Sequence, residues 1–404
     1  MSANGQIAGC AALALMAVYL WALPTAHTIA LRQVAFFSLI LLTLWSTWRY
    51  GLRLHLPLAA PWLIFGAVAL ASLTYAVDLT FSLGEIKKEI GYGMLVLVLS
   101  ASWVRNIASL ERLIIILAIG NIFLIGSVLF KITILDPFWH HPASQISSLL
   151  YNGPGKSLYN GVGNFSTYLV TIMPLIAAYA FSLPKSRRVA RLSLFVLLAF
   201  NVVALFLTGN RMGLVICLLE ILFVTGFLIA RGIISWRTLI VAVMALATIG
   251  ILTWGQMHVR TPVDDIRWKM WSWIITDIRT NPLAGGGFGR TVLCLYDPKF
   301  CQVFPFEHAH NMLLDKGVQM GIPGIAAFLF LLGATFHSLW PSRKTYPNPQ
   351  WGYLLGAATM FVGVFLKSMT DDFFVDHNAL LFWALTGGVL GALAEQRVDT
   401  KAQN

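Results

Sequence analysis

Two histidines separated by one residue stand in the run Phe306-Glu307-His308-Ala309-His310-Asn311-Met312. An imidazole exchanges protons near neutral pH. His310 therefore suits general-base work on a hydroxyl, with Asn311 helping to orient it and His308 as the second candidate. The same pair reads as a metal ligand set less well. On a helix, residues at i and i+2 lie about 200° apart, and no Cys or His partner follows at a regular spacing. Arginine supplies the other chemistry, because its planar fork matches phosphate oxygens and stays charged. Arg211 closes the short turn Thr208-Gly209-Asn210-Arg211, Arg267 and Lys269 open an amphipathic run, and Arg290 follows a glycine cluster. A plain reading of Arg211 is an interfacial arginine with its head in water.

The glycine cluster Gly285-Gly286-Gly287-Phe288-Gly289 admits two readings. Glycines let backbone approach a phosphate, or they make a tight turn. No Lys-Ser/Thr follows, so it is not a Walker loop. Asp371, Asp372 and Asp376 lie close together near the end of the chain. They can orient an arginine, bind a divalent cation or form a solvated turn.

The elements that position these residues must be membrane helices. The chain has 404 residues, of which 58% are hydrophobic and only 11% charged. Mean hydropathy is +0.75. A soluble domain carries about a quarter charged residues, so an ordinary soluble enzyme is excluded. The apolar runs are continuous rather than alternating, which disfavours a membrane barrel. An all-α polytopic membrane protein remains, its helices satisfying their own backbone hydrogen bonds in lipid. A span needs about 20 apolar residues. About twelve spans are predicted, near 7–23, 28–48, 57–76, 90–104, 111–131, 164–183, 190–207, 212–230, 237–255, 318–340, 351–370 and 377–394.

With both termini cytoplasmic, the inner loops and tail hold Arg49, Arg53, Arg105, Arg112, Lys185, Arg187, Arg188, Arg191, Arg231, Arg237, Arg343, Lys344, Arg397 and Lys401. Only Glu111, Glu395 and Asp399 oppose them, so these segments account for the whole net charge of +11. The basic balance is a positive-inside signal rather than a nucleic-acid footprint. The first segment lacks a basic leader and reads as a retained span.

The chain reads as one transmembrane domain over 1–404 with two long outer loops, 132–163 and 256–317. Loops of that length are usually functional, and the second is the expected catalytic loop. Within it, Arg267 to Ile278 reads as an amphipathic helix with Trp271, Ile274, Ile275 and Ile278 on one face. That helix packs on the bundle, lies at headgroup level, or both. Cys294 and Cys301 share this loop, and a disulfide is expected if the compartment is oxidising. Glu220 lies mid-span, where a charge is costly, and is expected to face the bundle interior. Glu85, Lys87, Lys88 and Glu89 read as a solvated outer face.

Three ordered motifs resemble the O-antigen ligase family of polytopic glycosyltransferases. Thr208-Gly209-Asn210-Arg211-Met212-Gly213 is similar to its Ser/Thr-x-x-Arg-x-Gly turn, with Asn210 where serine is common. Arg267 to Trp271, followed by Asn281-Pro282-Leu283-Ala284-Gly285-Gly286-Gly287, is similar to its Arg-x-x-x-Trp and Asn-Pro-Leu-x-Gly-x-Gly run. His308-Ala309-His310-Asn311 leading to Gly317 and Gly321-Ile322-Pro323-Gly324 is similar to its Ala-His-Asn and Gly-x-x-Gly segment.

The resemblance implies a GT-C-like, multi-pass transferase of the bacterial inner membrane with a periplasmic active site. The donor it implies is an undecaprenyl-diphosphate-linked O-antigen, the acceptor lipid A–core. No nucleotide sugar, cofactor, metal or nucleic acid takes part, and membrane lipids are the remaining partners. His310 is then the base, and Arg211 and Arg267 the diphosphate clamp. Arg290, Lys269, His308 and Asn311 become substrate-binding candidates, with Asp372 as the acidic residue of the last outer loop. O-antigen polymerases and protein O-oligosaccharyltransferases share the signature, so the acceptor stays open. A lipid-linked oligosaccharide flippase is the non-enzyme alternative, although transporters concentrate charge at the midplane.

Overall fold

The computed structural model describes residues 3–135, 140, 161–208, 210–237, 240, 244, 263–304, 306–341, 350–372 and 374–402. Among them there is no strand. The helices are α1 (Ala3–Ala22), α2 (Ile29–Tyr50), α3 (Ala59–Ala71), α4 (Leu79–Ile86), α5 (Tyr92–Trp103), α6 (Ile107–Phe130), α7 (Val162–Ser182) and α8 (Arg188–Leu207). They continue with α9 (Arg211–Ala230), α10 (Val263–Thr280), α11 (Val292–Tyr296), α12 (Pro298–Val303), α13 (Met312–Leu339), α14 (Gln350–Ser368) and α15 (Asp376–Ala402).

Nine of these described helices are long and apolar enough to cross a membrane: α1, α2, α6, α7, α8, α9, α13, α14 and α15. The chain is thus an all-helical, multi-pass protein. The difference from about twelve predicted spans lies in three places. Ala59–Thr74 is apolar but shorter. The span predicted at 90–104 is α5, which reaches α4 through a π-turn over Lys87–Gly91. Most of 237–255 lies outside the described residues, as does most of the loop 132–163.

Short polar side chains start the helices. Asn106 accepts the amide of Ser109 at the head of α6, and Asn210 that of Gly213 at the head of α9. Asn311 accepts the amides of Leu313 and Leu314 at the head of α13. Each satisfies backbone donors that a helix N-terminus leaves orphaned.

Small residues set the closest approaches. Gly387 and Gly391 of α15 lie four residues apart and face the backbone of α5. A Cβ at Gly387 would meet the carbonyl of Leu97, and one at Gly391 the carbonyls of Ala101 and Val104. Helix association in lipid relies on such close packing. Gly391→Leu should therefore lower the thermal midpoint in detergent, at a cost of about 1–3 kcal/mol for overpacking. An unchanged midpoint would show that α15 does not pack there.

The second outer loop builds its own small core. Met270, Ile274, Val292, Leu293, Phe300, Phe304, Ala309 and Val318 are buried together. A Cys294–Cys301 disulfide, with Cα atoms 5.6 Å apart, bridges α11 and α12 beside this core. The inner face of α10 differs from the predicted one. Met270 and Ile274 are fully buried, Trp271 and Ile278 partly, and Ile275 is exposed. Ile278 packs on Gly317 of α13, one side of the α10–α13 contact.

Helix α13 breaks at Gly321, where φ is 65° and ψ −162°. Pro323 has no N–H, so the carbonyl of Gln319 loses its helical donor. The amide of Gly287 donates to that carbonyl at 3.1 Å, and the amide of Gly286 to Val318 at 2.9 Å. In return the amide of Ile322 donates to Pro282 at 2.8 Å. The Asn-Pro-Leu-x-Gly-x-Gly and Gly-x-x-Gly motifs are thus the two halves of one joint. The glycine cluster is explained by this close backbone docking, and two of its amides are spent in it.

Candidate active site

The joint holds α10 and the 281–290 segment against the head of α13, where the histidines lie. His308 and His310 precede that helix rather than forming part of it, so the expected 200° separation on a helix does not apply. His310 has a φ of 51°, in the left-handed region. A non-glycine residue held there is strained, and such strain gathers at functional sites. The bend brings the two imidazoles together, with ring centroids 4.1 Å apart.

The peptide between them is pinned on both sides. Trp271 Nε1 donates to the Ala309 carbonyl at 2.8 Å, and the Ala309 amide donates to Asp315 Oδ1 at 2.8 Å. Asn311 Nδ2 donates to the Met369 carbonyl at 2.9 Å while its Oδ1 caps α13. Asn311 thereby ties the histidine segment to the loop between α14 and α15.

That loop supplies the partner of His310. Nδ1 of His310 stands 2.6 Å from Asp371 Oδ1. Burial opposes ionisation of Asp371, yet the neighbouring imidazoles of His308 and His310 hold its carboxyl well below the usual carboxylate range. An ionised carboxylate only accepts, so His310 carries its proton on Nδ1. In the neutral ring, Nε2 of His310 is then a lone pair. It is buried and has no hydrogen-bond partner among the described residues.

His308 is placed differently. A guanidinium nitrogen of Arg290 lies 2.8 Å from its Nε2 and 2.8 Å from the Asp372 carbonyl. The Nε of Arg290 is 3.7 Å from Asp372 Oδ2. Burial, and with it the Arg290 charge, pushes His308 below its ordinary pKa. His308 is therefore a neutral imidazole whose Nε2 accepts from Arg290, which leaves that atom unable to take a proton from a substrate. Asp372 serves Arg290, and Asp371 serves His310.

The arginines and the lysine are distributed around this core. Arg267 donates to the Thr370 carbonyl at 3.1 Å, directly beside Asp371. Arg211 opens α9 and is exposed, next to Asn210. Lys367 of α14 donates to Asn210 Oδ1 at 3.0 Å, so the 208–211 turn borders the site through that lysine. Lys269 is exposed on α10. The structure thus gathers His308, His310, Asn311, Arg267, Arg290 and Asp372, with Arg211 at the border.

Asp315 and Lys367 complete the constellation beyond the residues singled out from sequence, and Asp371, one of the three clustered aspartates there, joins it as the partner of His310. Lys367 carried a signal, since an ionisable residue inside an apolar span is a functional candidate by default. Asp371 carried none that separates it from Asp372. Glu220 is buried in α9 against Gly363 of α14, away from these groups. The charged segment 85–89 is not uniformly solvated. Lys88 and Glu85 pair at the surface, but Glu89 of the π-turn reaches inward to Lys316 Nζ at 2.6 Å. The Lys316 ammonium also lies 4.6 Å from the Phe288 ring.

One group among the described residues has metal-ligand geometry, His308, His310 and Asp371, whose ligand atoms lie within 4.8 Å of one another. Its donors are already engaged. His310 Nδ1 and Asp371 share one hydrogen bond, and His308 Nε2 receives Arg290. A guanidinium so close to a ligand atom also repels a second cation.

Residues 193–329 match the family model described as O-Antigen ligase. None of the curated proteins matches the chain. The matched segment contains all three motifs, the glycine joint and both histidines, whereas Lys367, Asp371 and Asp372 follow it. The match supports the ligase- or polymerase-type glycosyl transfer of that family, and the chain carries an O-antigen ligase family domain over residues 193–329.

Proposed function

We propose that the protein moves a glycan from undecaprenyl diphosphate to a sugar hydroxyl of lipid A–core, at the periplasmic face of the inner membrane. The observation that carries this reading is the 2.6 Å contact between His310 Nδ1 and Asp371. It leaves Nε2 as a buried lone pair, the form a general base needs.

In the reaction the acceptor oxygen attacks the anomeric carbon while its proton passes to His310 Nε2. The bond from that carbon to the diphosphate oxygen breaks, and its electron pair stays on the diphosphate. A single in-line displacement inverts the anomeric configuration. Charge grows on the leaving group, and Arg211 and Arg267 are the proposed clamp, with Arg290, Lys269 and Lys367 as further cations. Asn311, His308 and Asp372 hold the base and Arg290 in place. Fixed cations of this kind supply several kcal/mol of transition-state stabilisation and work without a metal. The family match supports ligase and polymerase chemistry alike, so acceptor identity separates an O-antigen ligase from a polymerase or a protein O-oligosaccharyltransferase.

The test is transfer by purified protein in detergent. The donor is undecaprenyl-diphosphate-linked glycan, offered lipid A–core or a second lipid-linked glycan, with EDTA and no nucleotide. Glycan should appear on lipid A–core at a rate EDTA leaves unchanged. Activity lost in EDTA and restored by Mg²⁺ would remove metal independence. Lengthened lipid-linked chains would make the enzyme a polymerase, and no product with either acceptor would favour a flippase. Arg211→Ala and Arg267→Ala should each slow transfer about a hundredfold or more. Near-normal rates in both would eliminate the clamp.

A further inference from the structure

A cavity of about 330 Å³ lies between α1, α2 and α5 at the end of the bundle away from the histidines. Helix α5 gives the direction. It starts at Tyr92, beside the Glu89–Lys316 pair, and ends at Trp103, which lines the cavity. Twelve residues at 1.5 Å each separate the two ends by about 18 Å. The charge bias of the loops reads this end as cytoplasmic.

Ser46, Arg49, Tyr50, Leu52, Trp103 and Arg105 form most of the wall, and no acidic residue lines it. Arg105 is held rigidly, its Nε donating to the Ser102 carbonyl at 2.9 Å and a terminal nitrogen to the Arg53 carbonyl at 2.6 Å. Neither Arg49 nor Arg105 forms an ion pair among the described residues. Among the described residues, positive potential is therefore uncompensated here. His55 feels it, since burial and then the Arg105 charge hold its pKa below the ordinary value.

Ser46 is the second, independent sign. It is only 2% exposed, and its Oγ has no hydrogen-bond partner among the described residues. Neighbouring hydroxyls on the same helix behave otherwise. Thr43 donates to the Leu39 carbonyl at 2.6 Å, and Thr47 to the Thr43 carbonyl at 2.9 Å. A buried hydroxyl left unpaired is costly and calls for a partner. Donors around a positively charged cavity call for an anion.

We propose that this cavity binds the phosphate of an anionic phospholipid headgroup, with Arg49 and Arg105 flanking the phosphate oxygens and Ser46 Oγ donating to one. A basic pocket between membrane helices is the usual form of such a site. The lipid source follows from the flank of α2. Leu41, Leu44, Trp45 and Trp48 are all exposed there, Trp48 at 83%. They offer an apolar surface for acyl chains with tryptophan at headgroup level.

The experiment is native mass spectrometry of the full chain in mild detergent, titrated with phosphatidylglycerol, phosphatidylethanolamine or inorganic phosphate. Phosphatidylglycerol should be retained several-fold more than phosphatidylethanolamine. Arg49→Gln should weaken that retention about fivefold, the share of one basic residue near an anionic headgroup. Ser46→Ala should weaken it several-fold yet leave the lipid-free thermal midpoint unchanged, because the hydroxyl has no partner to lose. Equal retention of the two lipids, or retention unchanged in both variants, would overturn the site. Displacement of phosphatidylglycerol by millimolar inorganic phosphate would overturn the lipid as its occupant in favour of a free anion. Both variants leave the histidine cluster untouched, so the outcome does not depend on the transfer reaction.

Discussion

His310→Ala should reduce glycan transfer about 10²–10⁴-fold at neutral pH, the usual contribution of a positioned general base. The prediction is specific to this imidazole. Among the described residues, His310 alone pairs Nδ1 with an ionised carboxylate and leaves Nε2 without a partner. His308 has its Nε2 occupied by Arg290, so His308→Ala should cost less and act through the placement of Arg290. The fold should survive the change at 310. The main anchors of the segment are the Ala309 peptide and the Asn311 side chain, which the substitution leaves in place. Initial rates with saturating donor, beside a thermal midpoint in detergent, check this. Wild-type turnover by His310→Ala would take it out of the chemistry.

Asp371→Asn should cost up to about 10⁴-fold in kcat, the size of loss seen where an aspartate sets an imidazole tautomer. An amide turned toward Nδ1 as donor drives the proton to Nε2 and abolishes the base. Asp371→Glu, which keeps an acceptor, should recover part of the rate, and a purely structural role would not show that rescue. Because the Asp371 carboxyl is held below the usual range, it stays ionised wherever the histidines titrate. Its contribution to folded stability is fully present above the ordinary carboxylate pKa of about 4 and is lost only as pH falls through the lower folded value. The acid limb of the rate profile should therefore follow an imidazole, not a carboxylate. Equal rates for Asp371→Asn and wild type would detach the pair from catalysis.

The order of spans was readable because a helix in lipid must be apolar over its length. That single requirement writes itself along the chain. It failed where the requirement relaxes. The segment Glu85 to Glu89 reads as a solvated face, yet its π-turn directs Glu89 to Lys316 across the bundle. No local pattern predicts that, since Lys316 is 227 positions away. The amphipathic helix was legible at its centre but turned at its edges, Met270 replacing Ile275 on the buried face.

What the sequence determined by itself was therefore the set of residue types and their confinement to a few polar segments. Basic residues in the short loops, arginines and histidines in the second long polar segment and glycines at fixed offsets all follow from local chemistry. The tertiary structure decided the pairings. His310 takes Asp371 rather than Asp372 because a left-handed residue and an asparagine cap aim the ring at one carbonyl loop. The glycine cluster meets α13 because Pro323 leaves a carbonyl free to accept it. Both choices depend on contacts between segments far apart in the chain, and hydrogen-bond direction over such separations is set only when the helices pack.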